Sequence, residues 1–259
     1  MNKHSKNIRQ QLIQLLPENT RAFINTDEFS NPQLNLARNA FLEGFHTSLN
    51  LSEENLPLLL DQIPNNKLGF FIEGAGMALT LHDELTPRGE ALLPKFLTYA
   101  TPIELKFSAI GTGWASARLK KPITWMPDHV MPQFQDDVIN GYGFYEALFN
   151  RHRLKSKNYF SDLALESDSF DLGLGRSLWF IFDAKIPPIL EVVSRVKAER
   201  QKLIWKGIGI AASFNQNHAK KALLIQSSGS FLPCLNSGCE IGRNLIDEIN
   251  KSNKLKHYG

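Results

Sequence analysis

Cysteine is scarce in this 259-residue chain, with only Cys234 and Cys239 present. Two cysteines cannot form a disulfide framework, and their spacing is not that of a zinc finger, so they are expected as packing residues in a reducing, cytoplasmic setting. Charge of one sign is lacking too: 29 Lys and Arg face 26 Asp and Glu, for a formal net charge of +3. No basic stripe stands out, which argues against nucleic-acid binding. No apolar run approaches the length of a membrane span, and the N-terminus, Met1-Asn2-Lys3-His4, carries no apolar signal core. Histidine pairs at metal-helix spacing are missing, and no glycine pair continues into a dinucleotide fingerprint or a Gly-Lys-Ser/Thr ending, so neither a metal nor a nucleotide cofactor is expected. At 42% apolar and 21% charged residues, the chain has the composition of an ordinary globular protein that buries a sizeable core.

What the chain does have is a repeated Gly-x-Gly. It occurs at Gly74/Gly76, Gly111/Gly113, Gly141/Gly143, Gly173/Gly175 and Gly207/Gly209, with single-glycine copies at Gly44 and Gly242. Aligned on the second glycine, the copies lie 30 to 37 residues apart, and twelve of the seventeen glycines belong to the series. A near-fixed period of this size signals stacked supersecondary units. The predicted fold is therefore all-α: one domain over 1–259, about seven tandem helix hairpins of ~33 residues, wound as an open superhelix or a closed α/α ring. Residues 1–36 form an N-terminal helix, at 8–16, and a loop.

The helix pattern is clearest in the second and third units. Ser52, with Glu53 and Glu54 in the first turn, starts a helix through Leu58-Leu59-Leu60, and a glycine helix follows over 68–85. Thr86-Pro87 then opens a helix through Ala91-Leu92-Leu93, and a break at Thr101-Pro102 precedes the next glycine helix, which ends at Leu119. The fourth and fifth units lack a clear first helix, because 121–134 holds Pro122, Pro127 and Pro132 and 151–171 is polar, reading as a long surface loop. Pro187-Pro188 opens a helix in the sixth unit. The seventh has helices over 218–226 and 235–249, and the tail from Lys251 is expected to fray.

Glycine inside a helix costs roughly 0.5–1 kcal/mol relative to alanine, so ten of them cost on the order of 5–10 kcal/mol, comparable to the stability of a domain. Two explanations offset that cost: close helix packing, or a groove or cavity where a ligand needs room. The glycine helices are apolar on most sides, which places them in an inner layer. Polar residues on that layer are the informative ones. Counting from the second glycine, positions −3, +1 and +5 share one face, which carries Glu73, Arg118, Asn140, Arg176 and Lys206 among apolar residues. Glu146 falls at +3, and the register predicts that it meets Arg176, whereas Glu73 and Arg118 are too far apart along their helices to pair. Ion pairs within the stack or a polar ligand both account for these charges. Trp114, Tyr142 and Tyr145 read as core aromatics that also suit an apolar ligand wall. His82-Asp83-Glu84 and Asp128-His129 read as solvated groups at helix ends. The run Gln135-Asp136-Asp137 reads as the acidic first turn of a helix rather than a magnesium motif.

Several segments together resemble a bacterial family often encoded beside enediyne polyketide synthases, the UnbL-type enediyne biosynthesis proteins. They are Glu73-Gly74-Ala75-Gly76-Met77-Ala78-Leu79, Gly111-Thr112-Gly113-Trp114-Ala115-Ser116-Ala117-Arg118, Gly141-Tyr142-Gly143-Phe144 and Gly173-Leu174-Gly175-Arg176-Ser177-Leu178-Trp179-Phe180. The resemblance spans about 37–249. Where the family pattern tends to carry Asp and His in the fourth copy, this chain has Asn140 and Tyr145. The resemblance implies a role near polyketide or other specialised metabolism and brings no catalytic residues. The expected function is binding or processing of an apolar polyketide- or polyene-type intermediate, free or on its carrier protein. Glu73, Trp114, Arg118, Tyr142, Tyr145, Glu146 and Arg176 are the candidate ligand contacts. The alternative is a non-enzymatic helical scaffold that holds a protein partner on its concave face.

Overall fold

The computed structural model describes residues 30–50, 60, 62–86, 90–157, 159–164, 167–214 and 218–256. All regular structure among them is helical. Seven helices carry the glycine series: α1 (Pro32–Asn50), α2 (Asn65–Leu85), α4 (Pro102–Arg118), α5 (Gln135–Phe149), α7 (Asp168–Ile181), α9 (Ala198–Ser213) and α11 (Leu232–Lys256). Between them lie the shorter α3 (Leu93–Tyr99), α6 (Ser161–Ala164), α8 (Ile186–Val193) and α10 (His218–Ser228). The helix expected at 8–16 and most of the one expected from Ser52 lie outside the described residues.

Each glycine helix packs on the next in chain order, and the glycines make the contact. The second glycine of one helix meets the first glycine of its successor. A Cβ on Gly113 would sit 1.9 Å from the Val138 carbonyl oxygen, and one on Gly141 would sit 1.9 Å from that of Ile110. The same reciprocal arrangement joins Gly44 to Gly74, Gly76 to Gly111, Gly143 to Gly173, Gly175 to Gly207 and Gly209 to Gly238, always onto the carbonyl three residues before the partner glycine. An oxygen aimed at a glycine methylene is the geometry of a weak Cα–H···O contact, worth about 0.5–1 kcal/mol. Close packing is thus what offsets the helix-propensity cost of these glycines. Two glycines per helix are needed because an inner helix has a neighbour on each side.

The last helix departs from the expected register. Gly238, not Gly242, faces Lys206 and Ile210 of α9, whereas a Cβ on Gly242 would meet the side chain of Ser213. The spacing of 33 residues to Gly242 matches the repeat by coincidence; the geometry places Glu240 at the second-glycine position. α11 also continues through the expected frayed tail to Lys256.

Side chains near equivalent ends pair between neighbours, so the helices from α2 to α9 run the same way. Near their starts, Lys106 of α4 meets Asp137 of α5 at 3.3 Å, Ser169 of α7 donates to Asp136 of α5 at 2.8 Å, and Arg200 of α9 grips Asp171 of α7. Near their ends, Glu84 of α2 meets Lys121, just past α4, at 2.8 Å. Contacts also join elements far apart in the chain. Asp183, following α7, accepts bonds from Ser30 and from the Asn31 N–H ahead of α1, and Asn65 at the start of α2 donates to Asn250 near the end of α11 at 2.9 Å. One hydrophobic cluster runs through the whole described assembly.

The connections hold further differences. α1 begins at Pro32, inside the stretch expected as loop, and α3 begins at Leu93 with Ala91 and Leu92 outside the helix. His82 and Asp83 are not solvated: the Asp83 carboxylate accepts the Leu92 and Leu93 N–H groups at 2.8 and 2.9 Å, capping α3. The polar segment after α5 is likewise not a simple surface loop. Tyr159 and Phe160 are buried in it, and Arg200 donates to the Tyr159 carbonyl at 2.7 Å while forking onto the buried Asp171.

Candidate functional site

Where α2, α5 and α7 converge, three polar side chains meet in an otherwise apolar interior. Glu73 stands at −3 on α2, Asn140 at −3 on α5 and Arg176 at +1 on α7. Arg176 Nη2 donates to Glu73 Oε1 at 2.7 Å, and Arg176 Nη1 donates to Asn140 Oδ1 at 2.6 Å. The guanidinium also lies 5.4 Å from the Phe144 ring centre. Glu73 is 3% exposed, and burial pushes its carboxyl up from the ordinary value of 4.5 while the charge and hydrogen bond of Arg176 oppose the shift. Arg176 cannot give up its proton, so its charge is held in the interior against the Glu73 carboxyl.

Glu73 and Arg176 form part of the wall of a cavity of about 500 Å³, which the amides of Gln33, Asn65, Asn66 and Asn250 also line. The apolar walls come from Leu34 of α1, Phe70 of α2, Phe107 of α4, Phe180 of α7, Phe214 after α9 and Ile246 of α11. Beside it lies a pocket of about 20 Å³ that Glu73 and Arg176 share with Trp114, room for about one water molecule. Trp114 is 2% exposed, stacks on Phe144 at 4.8 Å, and its indole N–H has no partner among the described residues.

The sequence candidates divide into two groups. Glu73, Arg176 and Trp114 come together at the centre. The others lie outside the cavity wall. The Tyr142 hydroxyl donates to the Lys121 carbonyl at 3.2 Å. Tyr145 packs on Phe149 and Trp114, and burial pushes its hydroxyl well up while Arg118 draws it back. Glu146 accepts from Asn150 at 2.7 Å and lies 3.9 Å from Arg153, so the pairing expected with Arg176 does not form. The reason is position: Arg176, at +1, faces the interior and takes Glu73, while Glu146, at +3, faces the segment that follows α5.

Sequence reasoning missed Phe70, Phe107 and the α11 residues. Extending the polar face one turn back, to −6, reaches both phenylalanines. Ile246 and Ile249 carry no such signal, because α11 departs from the register. Among the described residues no cluster of His, Cys, Asp or Glu is placed to hold a metal ion, and no helix is long and apolar enough to cross a membrane.

The comparison with known families is decided by one match. A family model described as "Protein of unknown function (DUF1702)" matches residues 5–252. The chain belongs to that family. The matched span includes all seven glycine helices but for the last residues of α11. No curated protein and no solved structure matches the chain.

Proposed function

We propose that this protein binds an apolar small molecule of polyketide or polyene type in its central cavity, as a step in specialised metabolism. The observation that carries the reading is the cavity itself: about 500 Å³, with aromatic and aliphatic side chains on much of its wall, amides from Gln33, Asn65, Asn66 and Asn250 among them, and one buried ion pair. Ligand sites are commonly clefts of about 300–1,000 Å³, mostly apolar, with a few placed polar groups. The contacts from Asp183 to Asn31 and from Asn65 to Asn250 support reading the stack as helices wound once around that cavity rather than as an open solenoid with a concave outer face. The resemblance to UnbL-type enediyne biosynthesis proteins supports the metabolic setting, since its segments supply Glu73, Trp114 and Arg176.

The test is native mass spectrometry of the protein purified from its own host, followed by extraction and identification of any bound molecule. An apolar polyketide or polyene, lost when Ala211 is replaced by Trp to fill the cavity, is the expected result. Recovery of ligand-free protein with a stoichiometric protein partner instead would overturn it in favour of a scaffold.

A further inference from the structure

The cavity wall reads out the chemistry of the ligand's polar end, an inference that rests on the cavity being the ligand site. Glu73 uses one carboxylate oxygen, Oε1, for Arg176; the other, Oε2, takes no bond from the described residues. Arg176 is committed to Glu73 through Nη2 and to Asn140 through Nη1, so its charge is matched within the protein. The group left wanting a partner at this wall is therefore an acceptor, Glu73 Oε2, next to an already neutralised cation. An anionic head would bring a second carboxylate against Glu73, and a cationic head would meet Arg176. Of the residues lining the 500 Å³ cavity only Glu73 and Arg176 are charged, and they match each other. Either head would therefore enter it without a spare counter-charge there, the nearest other cation being Arg38 of the small adjoining pocket.

We infer that the cavity selects an apolar molecule ending in an uncharged hydrogen-bond donor, a hydroxyl or amide N–H that donates to Glu73 Oε2, and rejects the corresponding acid. Glu73 is then the specificity determinant. It masks Arg176, which would otherwise make the cavity a site for fatty or polyketide acids. Close by, at the small adjoining pocket, Trp114 holds a buried indole N–H that has no partner among the described residues.

All-trans-retinol and all-trans-retinoate share one polyene skeleton and differ at the head, so they serve as probes through quenching of tryptophan fluorescence. The wild-type protein is expected to bind retinol at least about tenfold more tightly than retinoate. Glu73→Gln is expected to reverse the order by unmasking Arg176. Binding of both probes with retinoate equal or tighter on the wild-type protein would overturn the inference while leaving the cavity reading standing. Binding of neither would overturn the cavity reading, and this inference with it. Should Glu73→Gln not fold, as judged by circular dichroism, the wild-type ratio decides alone.

Discussion

Gly113 and Gly141 occupy each other's missing side-chain space. A Cβ on either would lie 1.9 Å from a backbone carbonyl oxygen of the other's helix. Backbone cannot move aside as a side-chain tip can, so alanine here forces α4 and α5 apart. Gly141→Ala should destabilise the protein by about 1–3 kcal/mol, the usual range for overpacking, although alanine is the better helix former by about 1 kcal/mol. Gly69 offers the contrast, since the nearest atoms to a Cβ there belong to the Phe107 side-chain ring, at 2.9 Å, rather than to backbone. Urea denaturation of Gly141→Ala and Gly69→Ala should show the larger loss in the first. The same comparison at Gly238 and Gly242 checks which of them holds α11 to α9, with Gly238→Ala the more damaging.

The buried pair of Glu73 and Arg176 should show strong coupling. Removing one partner leaves an uncompensated charge in the interior, so Glu73→Leu or Arg176→Met alone should cost about 3–5 kcal/mol. Removing both should cost far less than the sum. A double-mutant cycle in chemical denaturation measures the difference, and additive single effects would mean that the two side chains are independently solvated.

Arg200 of α9 ties down α7 by forking onto Asp171 and the segment before α7 by reaching the Tyr159 carbonyl. Lysine keeps the charge but cannot make the fork. Arg200→Lys is expected to cost about 1.5–3 kcal/mol, the range for hydrogen bonds to charged groups. A thermal melt that matches wild type would assign the tie to packing alone.

The glycine register, the all-helical architecture and the inner polar face were legible in the sequence because each follows from periodicity. Glu73, Asn140 and Arg176 share a face by count alone, and they do meet. Partner choice was not legible. It depends on which helices converge across the stack, and α2 reaches α7 although α4 and α5 intervene in the chain. The misplacement at Gly242 has a similar origin: a terminal helix has one neighbour and one glycine, so nothing in its own sequence distinguishes the contact glycine from another glycine nearby. Asp83 as a cap for α3 was hidden because the capped N–H groups lie nine and ten residues further along the chain.

Burial raises the carboxyls of Glu73, Asp137, Glu146 and Asp171 above their ordinary values. For each such group the folded state holds the proton more tightly than the unfolded state. Its contribution therefore favours folding at low pH and is lost as pH rises from the unfolded value through the raised one. For Glu146 the window opens at its ordinary value of 4.5 and extends upward. Glu146→Gln should thus make stability fall less steeply than in the wild type as pH rises above 4.5. Denaturant midpoints across that range give the slope, and an unchanged slope would show that the group titrates alike in both states.

The two end helices differ from the five between them in one respect. Leu42 on α1 stands at the first-glycine position and Glu240 on α11 at the second, where the helices between them carry glycine. Each carries a side chain on the edge that would have to receive another backbone. A further helix, whether from a duplicated unit or from a second copy of the chain, could not dock there at glycine distance. Among the described helices, the glycine-to-carbonyl contact is thereby confined to the faces between α1 and α11, and neither outer edge offers a notch for it.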